Sequence, residues 1–228
     1  KRSDKKIGRK LSRGDWMTYK LLCLDMDGVI FKDINFWLEL HKVFDTSEEG
    51  KKLTERYLHT DYPKLVEEVV GRLWKGKNAT PYFELVNSIE YLPGVKELFD
   101  YVKNQDLITA IISASSIDVA RRIQKDYGID HLFANELVIR DGMVAGEFVW
   151  PIGAGKEKKA QIIRHLCEDL GISPQEVIYV GDSNTDIEAF KTVGLSIAFN
   201  SDSQELKSVA THVVESNNLA DVLPYLQN

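Results

Sequence analysis

From Pro93 to the C-terminus, helical patterns alternate with short apolar runs, and this alternation constrains the fold more than any other feature of the chain. Residues 95–102, 117–127 and 157–170 repeat apolar side chains at helical spacing, the last stopped at Gly171, and 186–193 is a shorter example. Between them, 107–112, 177–180, 195–199 and a final short run at 213–214 are continuously apolar and of strand length. Such alternation predicts a parallel sheet covered by helices on both faces. One segment departs from it: 137–148 reads as an antiparallel hairpin turning at Asp141-Gly142, a pair that tolerates the positive backbone angles of a tight turn.

Upstream, residues 19–24 form another buried strand, and it ends in the polar run Asp25-Met26-Asp27-Gly28. No strand is visible from Phe31 to Leu92. The periodic sets there are helical: Phe36, Trp37, Leu40 and Phe44; Leu65, Val69 and Leu73; Phe83 and Val86. Thr60-Asp61 before Pro63 and Thr80 before Pro81 are expected helix starts. The expected organisation is a basic, flexible arm at 1–17, a core built from 18–32 and 93–228, and a helical insert at 33–92.

With 43% hydrophobic residues in 228, the chain can bury a full-sized core plus a smaller unit. No run approaches the roughly 18 apolar residues of a membrane span, so no membrane partner and a cytoplasmic location are expected. Cys23 and Cys167 lie in apolar surroundings without a partner at metal-ligand spacing, which favours buried free thiols. The first fifteen residues carry seven basic and two acidic side chains, leaving −11 for the rest of a chain whose net charge is −6. That arm lacks interleaved aromatics, so a solvated tail is expected and no nucleic-acid partner.

In open parallel sheets ligands bind beyond the carboxyl ends of the strands. Three such ends carry polar groups: Asp25 and Asp27, then Ser113, then Asp182 with Asp186. Clustered carboxylates repel one another, and a hard divalent cation with oxygen ligands, Mg2+ by preference, offsets that repulsion. Lys159 near a helix start would add a point charge for a phosphate on the metal. Ser113 and the backbone N–H groups that follow it, from Ala114 onward, would donate hydrogen bonds. The five histidines show neither ligand nor triad spacing.

These residues resemble the four motifs of the haloacid dehalogenase superfamily. Asp25-Met26-Asp27-Gly28-Val29 is similar to the first, Ile111-Ile112-Ser113 to the second, Lys159 to the third and Gly181-Asp182-Ser183-Asn184-Thr185-Asp186 to the fourth. The stretch from Leu107 onward, with Phe133-Ala134-Asn135 and the Asp141-Gly142 hairpin, is similar to phosphoserine phosphatases, and the insert sits where their helical cap does. The resemblance implies an α/β, Rossmann-like sheet sandwiched by helices, with a helical-bundle cap. It also implies an Mg2+-dependent phosphatase acting on a small phosphorylated metabolite. Asp25 would be the nucleophile that forms an aspartyl-phosphate and Asp27 the general acid and base. Asp25, the carbonyl of Asp27 and Asp182 would hold the metal, and Asp186 would support them.

Phosphoserine phosphatases hold their amino acid with a cap glutamate and a cap arginine. The corresponding stretches here, Asp33-Ile34-Asn35 and Phe83-Glu84-Leu85-Val86-Asn87, have no clear counterpart of either, so Asp33, Arg56 and Arg72 are the candidate cap contacts. A sugar phosphomutase of the same superfamily and a non-catalytic binding module on the same fold are the alternatives. The sequence does not assign an oligomeric state.

Overall fold

A computed structural model describes residues 19–32 and 34–226; the basic arm at 1–17 and Asp33 lie outside the described residues. Seven strands form one sheet: β1 (Leu21–Leu24), β2 (Ile108–Ser116), β3 (His131–Arg140), β4 (Met143–Val149), β5 (Val177–Gly181), β6 (Leu195–Phe199) and β7 (His212–Val214). Their spatial order is β4-β3-β2-β1-β5-β6-β7, parallel throughout except for the antiparallel pair β3–β4. At β1 the order reverses, with Leu24 paired to Ile111 on one side and to Val180 on the other. A crevice therefore opens beyond the end of β1, where Asp25 emerges.

Because side chains alternate along a strand, each central strand feeds two cores. Leu22, Leu24, Ile111 and Val180 face one side, which is covered by α5 (Val95–Asn104) and α6 (Ile117–Tyr127) through Leu98, Phe99, Val119 and Ile123. Leu21, Cys23, Ile112 and Tyr179 face the other. There Ile163 and Cys167 of α7 (Glu157–Leu170) and Phe190 of α8 (Ile187–Phe190) complete the core. The short α9 (Gln204–Val209) and α10 (Leu223–Leu226) close the C-terminal edge. The expected hairpin forms, with positive φ at both Asp141 and Gly142.

Four α-helices lie between β1 and α5: α1 (Phe36–Val43), α2 (Ser47–Tyr57), α3 (Tyr62–Val66) and α4 (Thr80–Ser88). Asp61 caps α3 as expected, its side chain accepting from the Lys64 N–H. Thr80 does not cap α4. It is the first helical residue, and Asn78 accepts from its N–H instead. From Glu67 to Trp74 the helix widens into π-helical turns, so Val69, Val70 and Trp74 are buried while Leu73, expected on that face, is only partly so.

Backbone bonds dock the insert on the hairpin, with Gly76 N–H donating to Val144 O at 2.8 Å and Val144 N–H to Lys77 O at 2.9 Å. Arg122 of α6 donates to the carbonyls of Val86 and Ile89 and lies over the rings of Phe31 and Tyr91, each 4.9 Å from its guanidinium. The insert is thus held at both its connections.

Gly50 in α2 admits the buried imidazole of His41, which bonds Thr46 Oγ1 at 2.7 Å; a Cβ at position 50 would lie 2.1 Å from that ring. Alanine ordinarily improves a helix by about 1 kcal/mol over glycine. Here Gly50→Ala is expected to destabilise the protein by about 1–3 kcal/mol through overpacking, read as a lower denaturant midpoint at constant m-value. A rise in the midpoint would show that His41 has room to move.

Candidate active site

The strand ends bring together most of what the sequence marked. Carboxylate oxygens of Asp25, Asp182 and Asp186 all lie within 4.8 Å of one another. Lys159, in the first turn of α7, reaches into this cluster fully buried, its Nζ 2.6 Å from Asp25 Oδ2 and 2.6 Å from Asp186 Oδ1. Lys156 and Lys158 are exposed, so the chain's geometry singles out Lys159 among its neighbours.

Asp186 is fully occupied as an anchor. Its Oδ1 accepts from Lys159 and from Tyr179 OH at 2.9 Å; its Oδ2 accepts from the N–H groups of Asp182 and Ser183 at 3.2 and 3.1 Å. A carboxylate with this many donors holds the loop after β5 in place and leaves Asp182 to face the crevice. Burial raises the Asp25 carboxyl above its ordinary range, and Lys159 opposes that shift while Asp186 adds to it. Burial alone would lower Lys159, yet Asp186 and Asp25 outweigh it and push the ammonium up.

Two glycines make the cluster possible. Gly28 has φ +76°, and a Cβ there would lie 2.2 Å from Asp182 Oδ2; at Gly181 a Cβ would lie 2.6 Å from Asp186 Cγ. The open cradle and the all-oxygen donor set fit a hard divalent cation.

Ser113 was expected just beyond the strand. It lies within β2 instead, where the register with β3 shifts between Ile112 and Ser116, and this irregular stretch turns Ser113 and Ala114 toward the crevice. Asn135, completely buried, fixes that stretch: its Nδ2 donates to Ala114 O and Gly153 O, and its Oδ1 accepts from Ile152 and Gly153 N–H. The same side chain therefore ties the Ser113 segment to the loop that leads into Lys159. Trp37 Nε1 adds a bond from the insert to Ala114 O at 2.9 Å.

Asp25, Asp27, Ser113, Ala114 and Asp182 line one cavity of about 240 Å3, closed on the insert side by residues 34–37. Arg56 and Arg72 do not line it. Arg72 sits on the surface in ion pairs with Glu68 and Glu49, and Arg56 lies over the Tyr57 ring. Of the aromatic residues in the insert, Phe36 and Trp37 reach the cavity, while Tyr82 bonds Ser116 and Asp118 and Phe83 is exposed. Nothing in the sequence marks Tyr179 as a partner of Asp186, whereas Gly28 and Gly181 adjoin the acids and carry a signal that could have found them.

Comparison with known proteins agrees with this arrangement. Residues 19–194 match the haloacid dehalogenase-like hydrolase family. The chain is 31% identical over 210 residues to a phosphoserine phosphatase of Archaeoglobus fulgidus, covering 91% of this chain and 60% of that protein, so it spans less than two thirds of that relative's length. It is 31% identical to the phosphoserine phosphatase of Idiomarina loihiensis, with 91% of this chain and 93% of the relative covered. Among solved structures, a phospho-aspartyl intermediate analogue of phosphoserine phosphatase superposes with a TM-score of 0.77 at 25% identity, covering 92% of this chain and all of that one.

Proposed function

The chain belongs to the haloacid dehalogenase-like hydrolases, and from that membership we propose that it is a phosphatase that cleaves a small phosphomonoester through an aspartyl-phosphate on Asp25. The observation that carries this reading is the buried Lys159 bridging Asp25 and Asp186 beside Asp182, at the point where the strand order reverses. We assign residues 18–32 and 93–228 to the catalytic core and 33–92 to a cap over the strand ends.

Asp25, the carbonyl of Asp27 and Asp182 would hold Mg2+, with Asp186 positioning them. Bound there, the cation neutralises charge on the phosphoryl oxygens and favours the ionised form of Asp25 that burial disfavours. Ser113 Oγ and the Ala114 N–H donate to the phosphoryl oxygens, and Lys159 supplies the fixed positive charge. The Asp25 carboxylate attacks phosphorus while Asp27 protonates the departing alkoxide. Asp27 then takes a proton from the water that attacks the aspartyl-phosphate, releasing inorganic phosphate and restoring both carboxyl groups. Acid–base help of this kind is worth about 100- to 10,000-fold. The free, buried thiols of Cys23 and Cys167 suit a reducing compartment, in keeping with the cytoplasmic location expected.

A panel of small phosphate esters with Mg2+ and an EDTA control tests the reading. Wild-type turnover should disappear in EDTA and return with excess Mg2+. Asp182→Ala should lose activity by at least about 100-fold in either condition. Full activity in EDTA would overturn the metal assignment, and transfer to a sugar without release of phosphate would favour a mutase.

A further inference from the structure

A second cavity, of about 150 Å3, opens between the helical insert and β4, walled by Trp37, Tyr62, Leu65, Val69 and Trp74 of the insert and Phe148 of β4. It adjoins the phosphate site, because Asn35 and Trp37 line both cavities. Trp37 connects them most directly: its ring stacks on Trp74 at 6.3 Å and meets Phe148 edge-on at 5.1 Å, while its N–H bonds Ala114 O. The helical spacing of Phe36, Trp37 and Leu40 fits a packed bundle core, yet a core at ordinary density leaves few voids larger than a water molecule.

Among the described residues no Asp, Glu, Lys or Arg lines this cavity. His41 does, and burial holds it neutral by lowering its pKa to about 4. An amino-acid leaving group would carry an ammonium and a carboxylate into walls whose polar groups, Asn35, His41 and Thr54, offer no opposite charge to either, a loss that burial of its one methylene does not offset. Its walls are mainly apolar, and its volume of about 150 Å3 is enough to accept a ring the size of benzene. Arg56 and Arg72, the expected cap contacts, do not line it either: Arg56 lies over the Tyr57 ring and Arg72 pairs with Glu68 and Glu49.

We propose that the phosphoester cleaved at Asp25 carries a compact, uncharged apolar leaving group, about one aromatic ring in size, seated in the cavity beside Trp37. This inference rests on the phosphatase reading above and names the substrate class for that same site. Phosphate stays against Ser113 and Lys159, and the ester oxygen lies at the junction that Asn35 and Trp37 share, with the ring beyond.

The test compares benzyl phosphate, ethyl phosphate and O-phosphoserine with Mg2+, three esters that all release alkoxides. The expected kcat/KM for benzyl phosphate exceeds both others by about tenfold or more. Benzylphosphonate should inhibit the wild-type enzyme about tenfold more tightly than ethylphosphonate. Val69→Phe fills the cavity, so the benzyl-to-ethyl ratio should fall toward one. Should that variant fail to fold, the phosphonate comparison on the wild type decides. Preference for phosphoserine, equal inhibition by the two phosphonates, or an unchanged ratio in folded Val69→Phe would overturn the leaving-group assignment while leaving the phosphatase reading intact. Failure of every ester in the presence of metal would overturn both.

Discussion

Asp25→Asn is expected to abolish turnover, by a factor on the order of 10,000 or more, in a protein that folds normally. The amide keeps the shape of the carboxylate and can still accept a bond from Lys159, now 2.6 Å from Asp25 Oδ2. It cannot serve as the nucleophile. In the wild type, acid quenching during turnover should trap a covalent phosphoryl adduct on the peptide containing Asp25. Asp25→Asn should show none. With p-nitrophenyl phosphate, whose phenolate leaves without an acid, Asp27→Asn should still be phosphorylated but release phosphate slowly, so the adduct should accumulate. An Asp25→Asn enzyme with near-normal activity would eliminate the covalent route, and an adduct on any other residue would reassign the nucleophile.

Which parts of this site were legible in the sequence follows from how far each signal reaches. Helix α7 and strand β6 occupy the expected residues because their signals are local, a 3.6-residue period stopped by Gly171 and a continuous apolar run. Asp25 and Asp182 stood out because each directly follows an apolar strand. The bonds from Asn135 to Ala114 and Gly153 were invisible, since they join residues about twenty apart through a side chain that any buried turn could contain. The docking of residues 75–79 on β4 was hidden for another reason. It is made of backbone groups, which every residue supplies alike. At Glu67–Trp74 a local signal misled, because the π-helical turns rotate the buried face away from Leu73 and place Trp74 there, beside the apolar cavity.

Lys159→Met is expected to act on stability and catalysis together, and the two effects have one electrostatic cause. Lys159 and Asp186 are fully buried and Asp25 nearly so; removing the ammonium leaves two carboxyl groups facing each other without the charge that offsets their burial. Loss of one partner from a buried ionic group costs about 3–5 kcal/mol, which should appear in the denaturant midpoint of the metal-free variant. In the wild type the ammonium also repels a cation at the neighbouring acids. The variant should therefore bind Mg2+ more tightly, and saturating Mg2+ should raise its melting temperature by more than it raises that of the wild type. Activity should not follow stability back. With Mg2+ saturating and the variant folded, kcat/KM should remain lower by about 100- to 1,000-fold, because no fixed positive charge meets the phosphoryl oxygens. Arginine is a poor substitute at a fully enclosed position shaped for a slim ammonium, so Lys159→Arg should not restore activity. A variant whose activity returned in full with Mg2+ would confine Lys159 to holding the acids in place, and a variant as stable as the wild type without metal would show that the ammonium does not offset their burial at all.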